Sequence, residues 1–90
     1  MSDTRKKIHF YGRVQGVGFR YKAKWAARTL NLTGWVKNEW DGTVTMEVQG
    51  SEDGIYRMLE RLNADAYIRI EWMDTEEIPC VEEERSFIIR

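Results

Sequence analysis

The chain has 90 residues, 42% of them hydrophobic and 32% charged, with a formal net charge of −1 at pH 7, which suits one domain around one core and leaves no room for a second. No apolar run approaches the roughly 20 residues of a membrane span, and no hydrophobic signal segment follows the N-terminal charges, so we expect a soluble cytoplasmic protein. The single cysteine, Cys80, excludes an internal disulfide, and the lack of a Cys or His pair gives no sign of a metal site.

The first two elements are a strand and a helix. Residues 7–14 alternate between apolar and polar side chains, which is typical of a half-buried strand. From Phe19 to Leu30 the apolar residues recur at helical spacing. Asn31 follows at the place where a residue in the left-handed conformation commonly ends a helix. Only residues 1–4 are expected to be loose.

Two strands then flank the turn signal Asp41-Gly42, namely residues 32–38 and 43–50. A two-residue hairpin loop would turn Val36 away from the apolar residues of the second strand, whereas a loop of three or five residues puts them all on one face. Asn38 shares the face of Val36, since alternate strand residues point the same way. We therefore expect Asn38 at the end of its strand, aimed toward the covered side of the sheet. The alternative is an Asn that ends the strand by bonding its own turn.

A second helix and two further strands complete the chain. The helix has Ser51 or Asp53 as a candidate cap and an apolar stripe at helical spacing: Ile55, Met58, Leu59 and Leu62. Residues 66–72 and 86–90 have the composition of strands. This order is most simply buried as an α+β, ferredoxin-like βαββαβ sandwich, in which two helices cover one face of a mainly antiparallel sheet and a short extra strand lies at the C-terminus.

The charges are distributed unevenly between the two parts of the chain. Residues 1–37 contain nine Lys or Arg and one acid, whereas residues 38–90 contain five against fourteen. This asymmetry indicates either an anion-binding half or two solvated faces that attract each other in the folded domain. The acidic second part argues against broad nucleic-acid binding, so we expect no nucleic-acid partner.

Two stretches with chemical potential converge at one edge of the predicted sheet. The first and second strands of a βαβ unit are parallel, so the loop of residues 15–19 and Asn38 leave them at the same edge. Gly16 and Gly18 permit positive φ and can turn backbone N–H groups toward a common point, as in an anion nest. The start of the helix adds unpaired N–H groups, and Arg20 can hold a phosphate through two charged hydrogen bonds. The alternative is a tight connection with an exposed Arg.

No other set of residues predicts chemistry as well. The glycines match neither common nucleotide-binding motif. His9 lies in mid-strand opposite the apolar face, where an exposed structural position is expected rather than catalysis. The acidic run of residues 82–84 is typical of a solvated loop rather than a metal site. The four tryptophans are expected to be packing or surface residues, and no Ser-His or Cys-His set is present.

"GRVQGVGFR" followed by "GWVKNEWDGTV" resembles the acylphosphatases, and the similarity extends from about Lys6 to the final "SFIIR". The resemblance implies the same ferredoxin-like sandwich and the hydrolysis of an acyl phosphate to a carboxylate and phosphate, without metal or cofactor. It also implies that Asn38 orients the attacking water and that the phosphate cradle consists of Gln15, Gly16, Val17, Gly18, Phe19 and Arg20.

Two departures from the family pattern concern loops. Asn31 stands where the family often has glycine, and Asn can adopt the same left-handed conformation. Residues 63–66, "NADA", replace a frequent Gly-Pro pair. We expect this segment to lie far from Arg20 and to affect only the shape of its own loop.

Three other functions remain to be weighed against a small monomeric acylphosphatase. One is a module of the same fold that binds phosphate or another anion without turnover. Another is an RNA-binding domain of the same topology, for which Thr45 and Glu47 make a poor stacking platform. The third is an accessory domain of a larger enzyme that uses carbamoyl phosphate, which we consider less favoured because the chain ends here.

Overall fold

Residues 3–90 are described by the structure, a computed structural model, as five strands and two helices. The elements are β1 Thr4–Arg13, α1 Phe19–Thr29, β2 Thr33–Asn38, β3 Val44–Gly50, α2 Glu52–Ala64, β4 Arg69–Ile78 and β5 Phe87–Ile89. The strands lie in the order β4-β1-β3-β2-β5, and every neighbouring pair is antiparallel except β2 and β5. The predicted α+β, ferredoxin-like sandwich is confirmed. In this part of the chain no helix has the length and apolar character needed to cross a membrane.

The core lies between the two helices and one face of the sheet. The strands bury the alternate residues Ile8, Phe10, Val36, Val44, Met46 and Val48, and the helices bury Phe19, Ala23, Ala26, Ala27, Ile55, Met58 and Leu62. Burial of one large apolar side chain stabilises a fold by roughly 1.5 to 3 kcal/mol. The apolar residues recur with a period of about 2 in the strands and of about 3.6 in the helices, and this pattern determines which face of the sheet the helices cover. Helix α1 packs against α2, β2 and β5, while α2 also contacts β3.

The loop between β2 and β3 has the predicted odd length. Asn38 is paired with Val44 and Val36 with Met46, so five residues, 39–43, form the connection. Val36 is fully buried on the helix-covered face, and Asn38 therefore points to the same side. The register expected from hydrophobic patterning is confirmed.

The end of α1 and the start of α2 agree with the sequence predictions. Asn31 has φ 57°, and the N–H of Leu32 donates to the carbonyl of Ala27 over 2.8 Å, which is the bond pattern of a Schellman C-cap. At the start of α2 the side chain of Ser51 accepts a hydrogen bond from the N–H of Gly54.

Strands β4 and β1 differ in their boundaries from the sequence expectation. Strand β4 begins at Arg69 rather than at residue 66, because the carboxylate of Asp65 accepts the N–H groups of Tyr67 and Ile68 and holds them in a turn. It ends at Ile78, since pairing with β1 continues that far. At the N-terminus, Thr4 already pairs with Gly50. The remaining residues expected to be loose are Asp3, which lies outside the strand, and residues 1 and 2, which are outside the described part.

A buried arginine joins the basic and acidic parts of the chain. The side chain of Arg5 is only 2% exposed and donates hydrogen bonds to Glu47, to Gln49 and, over 2.7 Å, to Glu84. The predicted solvated loop of residues 82–84 is therefore anchored by its last member. At Arg5 the uneven distribution of charge thus produces an attraction between the basic first part and the acidic second part of the chain.

Replacement of Glu84 by Gln is expected to lower the free energy of unfolding at pH 7 by about 1 to 3 kcal/mol, because a charged hydrogen bond to a buried guanidinium is lost. Burial raises the pKa of Glu84, but the hydrogen bonds from Arg5 and Thr33 and the positive charges of Arg5 and Arg90 together outweigh burial, so that the pKa is lowered. The contribution is therefore present above the unfolded-state pKa of about 4.3 and is lost as the pH falls through the folded-state pKa.

Urea unfolding at pH 7 and at pH 3 measures this effect. The difference between wild type and Glu84→Gln should shrink on acidification, while Glu82→Gln, at an exposed position of the same loop, should match wild type at both pH values. A constant difference between Glu84→Gln and wild type would contradict the ion-pair explanation.

Candidate active site

The ends of β1 and β2 enclose a small cavity at one edge of the sheet. Because both strands are antiparallel to β3, they are parallel to each other and their carboxyl ends share that edge. The cavity has a volume of about 90 Å³ and is lined by Val14, Gln15, Gly16, Gly18, Phe19, Arg20, Tyr21 and Asn38. The structure thus brings together all of the predicted site residues except Val17.

The size of the cavity limits what it can hold. Pockets for organic ligands usually have volumes of roughly 300 to 1,000 Å³. Larger depressions of about 390 and 470 Å³ exist beside β5 and beside β4, but Arg20 and Asn38 line neither. The cavity between the loops suits a small inorganic group together with a water molecule.

Helix α1 begins at this cavity without any capping group. Gly18 precedes its first residue, no side chain of residues 3–90 caps its first turn, and that turn contains no acid. The first intrahelical bond runs from the N–H of Lys22 to the carbonyl of Gly18 over 3.0 Å. Helix α2, in contrast, has Ser51 as cap and two acids in its first turn. The free N–H groups and positive dipole end of α1 can therefore attract an anion.

Two glycines give the loop its anion-binding shape. Gly16 has φ 74° and Gly18 has φ 78°, both in the left-handed region that other residues rarely adopt. A residue in the left-handed conformation next to one with ordinary negative φ turns successive N–H groups toward one point, which forms a concave nest. The backbone geometry agrees with the sequence prediction for this loop.

The two apolar residues of the loop anchor it to the core. Phe19 is 2% exposed, and its ring packs edge-to-face on Phe10 with centroids 4.9 Å apart. Val17 packs partly against the same core. These two residues can therefore reach a ligand only through their backbone groups.

Asn38 and Arg20 bring unpaired polar groups to the cavity. The Oδ1 atom of Asn38 is buried, and no hydrogen-bond donor within residues 3–90 reaches it. The alternative expectation, that this oxygen bonds its own turn, is therefore wrong. Arg20 is half-buried at the cavity, and its guanidinium pairs with no carboxylate of the described chain. An unsatisfied buried acceptor is unfavourable by about 1 to 3 kcal/mol, so a water molecule is the natural partner of Asn38.

The side chain of Gln15 ties the two halves of the site together. Its amide nitrogen donates to the carbonyl of Glu39 over 2.7 Å and to that of Thr43 over 2.8 Å. These carbonyls belong to the loop that follows Asn38. The sequence predicted only a backbone role for Gln15, because nothing in its pattern reveals a partner more than 20 residues away.

The same loop is stiffened on its outer side. Asp41 accepts both the N–H and the hydroxyl of Thr43, and these bonds lower the pKa of Asp41. The Nε2 atom of His9 lies 2.6 Å from the Thr43 hydroxyl oxygen. His9 therefore supports the turn from the open face of the sheet and does not line the cavity, as its place in the strand pattern predicts.

The segment "NADA" lies close to the cavity loop, contrary to the sequence expectation. Asp65 accepts a hydrogen bond over 2.9 Å from the ammonium of Lys22, which also donates over 2.9 Å to the carbonyl of Val17. The two helices pack side by side, so the end of α2 comes back to the start of α1. The bond from Lys22, with those from the N–H groups of Tyr67 and Ile68, lowers the pKa of Asp65. The contacts of Lys22 with Val17 and Asp65 were not predicted from the sequence.

Comparison with known proteins places this chain in a family. The family model described as Acylphosphatase matches residues 6–89. An acylphosphatase of Geobacillus kaustophilus is 42% identical over 87 residues and covers 93% of each chain, and one of Clostridium acetobutylicum is 41% identical with 94% of each chain covered. The crystal structure of an acylphosphatase from Bacillus subtilis has a TM-score of 0.88 at 32% identity, covering 97% of this chain and 98% of that one. The resemblance found in the sequence is confirmed.

Replacement of Gly18 by Ala is expected to reduce both stability and phosphate affinity. A left-handed conformation disfavours Ala by about 1 to 2 kcal/mol, so the loop either keeps the strain or flattens its N–H nest. Urea unfolding measures the first effect, and calorimetric titration with inorganic phosphate measures the second.

The matched control is Gly42→Ala, at φ 92° in open space, outside the cavity wall. This variant should lose stability to a similar extent and retain phosphate affinity. If Gly18→Ala bound phosphate as tightly as wild type, the backbone of this loop would not form the anion site.

Proposed function

The chain belongs to the acylphosphatase family, and we propose that it hydrolyses acyl phosphates by means of a phosphate cradle and an oriented water. The cradle consists of Arg20 and the backbone of residues 15–19, and Asn38 orients the water. One observation carries this proposal. Among residues 3–90, the buried oxygen of Asn38 without a hydrogen-bond partner lines the same cavity as the start of α1, which has no side-chain cap, and Arg20, which has no ion partner.

The cradle uses three kinds of positive group. The N–H groups of the glycine loop and of the first turn of α1 surround the phosphate, and the helix dipole adds a partial positive charge. Arg20 can donate two parallel hydrogen bonds to the phosphate oxygens. Because no carboxylate competes for this guanidinium among the described residues, its full charge is available to the ligand.

Asn38 acts on the water rather than on its proton. A carboxamide is not a usable base at neutral pH. Its oxygen can, however, accept a hydrogen bond from one O–H group of a water and so direct a lone pair of that water at phosphorus. Positioning of this kind is the main requirement of phosphoryl transfer, in which little covalent chemistry falls to the protein.

The reaction balances without a further catalytic group. A bond forms between the water oxygen and phosphorus, and the bond between phosphorus and the acyl oxygen breaks in line with it. The leaving group departs as a carboxylate, which needs no general acid, and the proton of the water passes to a phosphate oxygen. Charge on the transferring group is stabilised by Arg20 and the loop N–H groups, which are already oriented before reaction.

The cavity holds the phosphate and leaves the acyl group outside. Its volume of about 90 Å³ has room for little more than a phosphate and a water, and one of its lining residues, Tyr21, is 67% exposed. We therefore expect acyl phosphates as a class to be substrates, with little discrimination among small acyl groups. The monomeric state, the cytoplasmic location and the lack of a nucleic-acid partner stay predictions.

Wild-type protein is expected to hydrolyse benzoyl phosphate in the presence of EDTA, with inorganic phosphate as a competitive inhibitor. The inhibition follows because the product occupies the same cradle as the phosphate group of the substrate. Loss of absorbance of the acyl phosphate over time measures the rate. Phosphate binding without turnover would instead support the non-catalytic binding module.

Substitution of Arg20 and of Asn38 should separate binding from chemistry. Arg20→Ala removes the charged clamp and is expected to abolish measurable phosphate binding and turnover. Asn38→Ala should bind phosphate nearly normally but lose about 10²- to 10³-fold in kcat, as when one positioned polar group is removed from an active site. Steady-state kinetics and calorimetric titration with phosphate measure the two effects.

Matched controls are Lys24→Ala on α1 and Asn63→Ala on α2, neither of which lines the cavity. Both should behave as wild type. Normal hydrolysis of benzoyl phosphate by Asn38→Ala would remove the water-orienting role from this residue.

A further inference from the structure

Lys22 holds two consecutive peptide groups of the phosphate loop from the side away from the cavity. Its ammonium donates to the carbonyl of Val17 over 2.9 Å, and its backbone N–H donates to the carbonyl of Gly18 over 3.0 Å. Its side chain also packs over Gly18, where the Cε atom lies 3.4 Å from the place a Cβ would occupy. Gly18 lines the cavity, whereas Lys22 does not.

This arrangement controls the direction of the N–H groups that face the ligand. In a planar trans peptide the C=O and the following N–H point in opposite directions, and the described chain contains no cis peptide. A carbonyl of Val17 that is fixed on Lys22 therefore turns the N–H of Gly18 away from Lys22. At a residue with φ 78°, this restraint matters, because glycine itself resists rotation only weakly.

Asp65 makes the restraint rigid. Its Oδ1 atom accepts the ammonium of Lys22 and also the N–H groups of Tyr67, over 2.8 Å, and of Ile68, over 3.2 Å. Ile68 is a core residue, 5% exposed. The ammonium is thus fixed by a carboxylate that is itself fixed to the core, and the side chain of Lys22 cannot follow a movement of the loop.

We propose that Lys22 and Asp65 form a positioning pair, in which the ammonium of Lys22 holds the Val17–Gly18 peptide so that the N–H of Gly18 faces the phosphate. This inference rests on the proposed function of the loop as a phosphate cradle. Neither residue lines the cavity. Their effect on the cavity passes through the backbone of the loop. A contact that only held the two helices together would not have this effect.

The sign of one substitution separates positioning from simple charge attraction. If Lys22 aided binding through its charge, removal of the neutralising carboxylate in Asp65→Asn would leave more positive charge beside the cradle and tighten phosphate binding. If the pair acts by position, the same substitution loosens the ammonium and weakens binding. We expect Asp65→Asn to raise the Kd for inorganic phosphate by about twofold to fivefold, since an amide oxygen can still accept part of the bond.

Removal of the ammonium should have the larger effect. Lys22→Met keeps most of the aliphatic stem and is expected to raise the Kd for phosphate by about tenfold. Lys22→Arg, which can still donate to the carbonyl of Val17, should recover most of the affinity. Because the two residues act as one unit, the double variant Lys22→Met with Asp65→Asn should have a Kd for phosphate no higher than that of Lys22→Met alone. Lys24→Met, at an exposed position of the same helix, is the matched control and should bind as wild type.

A backbone signal tests the route of the effect. In ¹H–¹⁵N spectra, saturating phosphate should move the amide proton of Gly18 downfield in wild type and by less than half as much in Lys22→Met. Urea unfolding of each variant, carried out in parallel, separates this change from loss of stability. A variant that is merely less stable would keep the full shift of Gly18 in its folded fraction.

The outcomes distinguish this inference from the function on which it rests. If wild type binds phosphate and Lys22→Met shows the same Kd and the same shift of Gly18, the positioning pair is overturned and the cradle stands. Tighter binding by Asp65→Asn also overturns it, in favour of charge attraction. If wild type fails to bind phosphate, the proposed function falls and this inference falls with it.

Discussion

The site depends on the central position of β3. This strand pairs antiparallel with β1 on one side and β2 on the other, and the double pairing makes β1 and β2 run in the same direction. Their carboxyl ends then lie at one edge, with the glycine loop after one strand and Asn38 on the other. The pairing of Val36 with Met46 fixes the face, since a slip by one residue would turn Asn38 to the open side of the sheet.

A cradle made mostly of backbone groups needs restraint from several directions. The loop after β1 is held to the core by Phe19, to the β2–β3 loop by the amide of Gln15, and to the start of β4 by Lys22 and Asp65. Each restraint comes from a different element, so no single movement of a neighbour can release the loop. Preorganised donors of this kind stabilise charge without reorganisation during the reaction.

The sequence predicted what periodicity and turn chemistry encode. The alternation of apolar and polar residues predicted which face of β1, β2 and β3 is covered. The odd loop length predicted the direction of Asn38, and the family motifs predicted the activity. The sequence did not reveal the long-range polar contacts, because Lys22 and Asp65 lie 43 residues apart and each alone resembles an ordinary surface charge. It also misplaced the start of β4, where a side chain of Asp65 competes for the N–H groups that a strand would use.

Within residues 3–90, three polar groups without a protein partner are those that the proposed reaction would use. A buried amide oxygen on Asn38, the start of α1 without a side-chain cap and Arg20 without an ion partner among residues 3–90 all lie at one cavity. Comparable polar groups elsewhere in the chain have hydrogen-bond partners: Ser51 caps α2, and the guanidinium of Arg5 donates to three side chains. The contrast supports the proposal that a phosphate and a water are the partners of these groups. Because these ligands complete the hydrogen bonds of the folded state only, their binding must also stabilise it against unfolding.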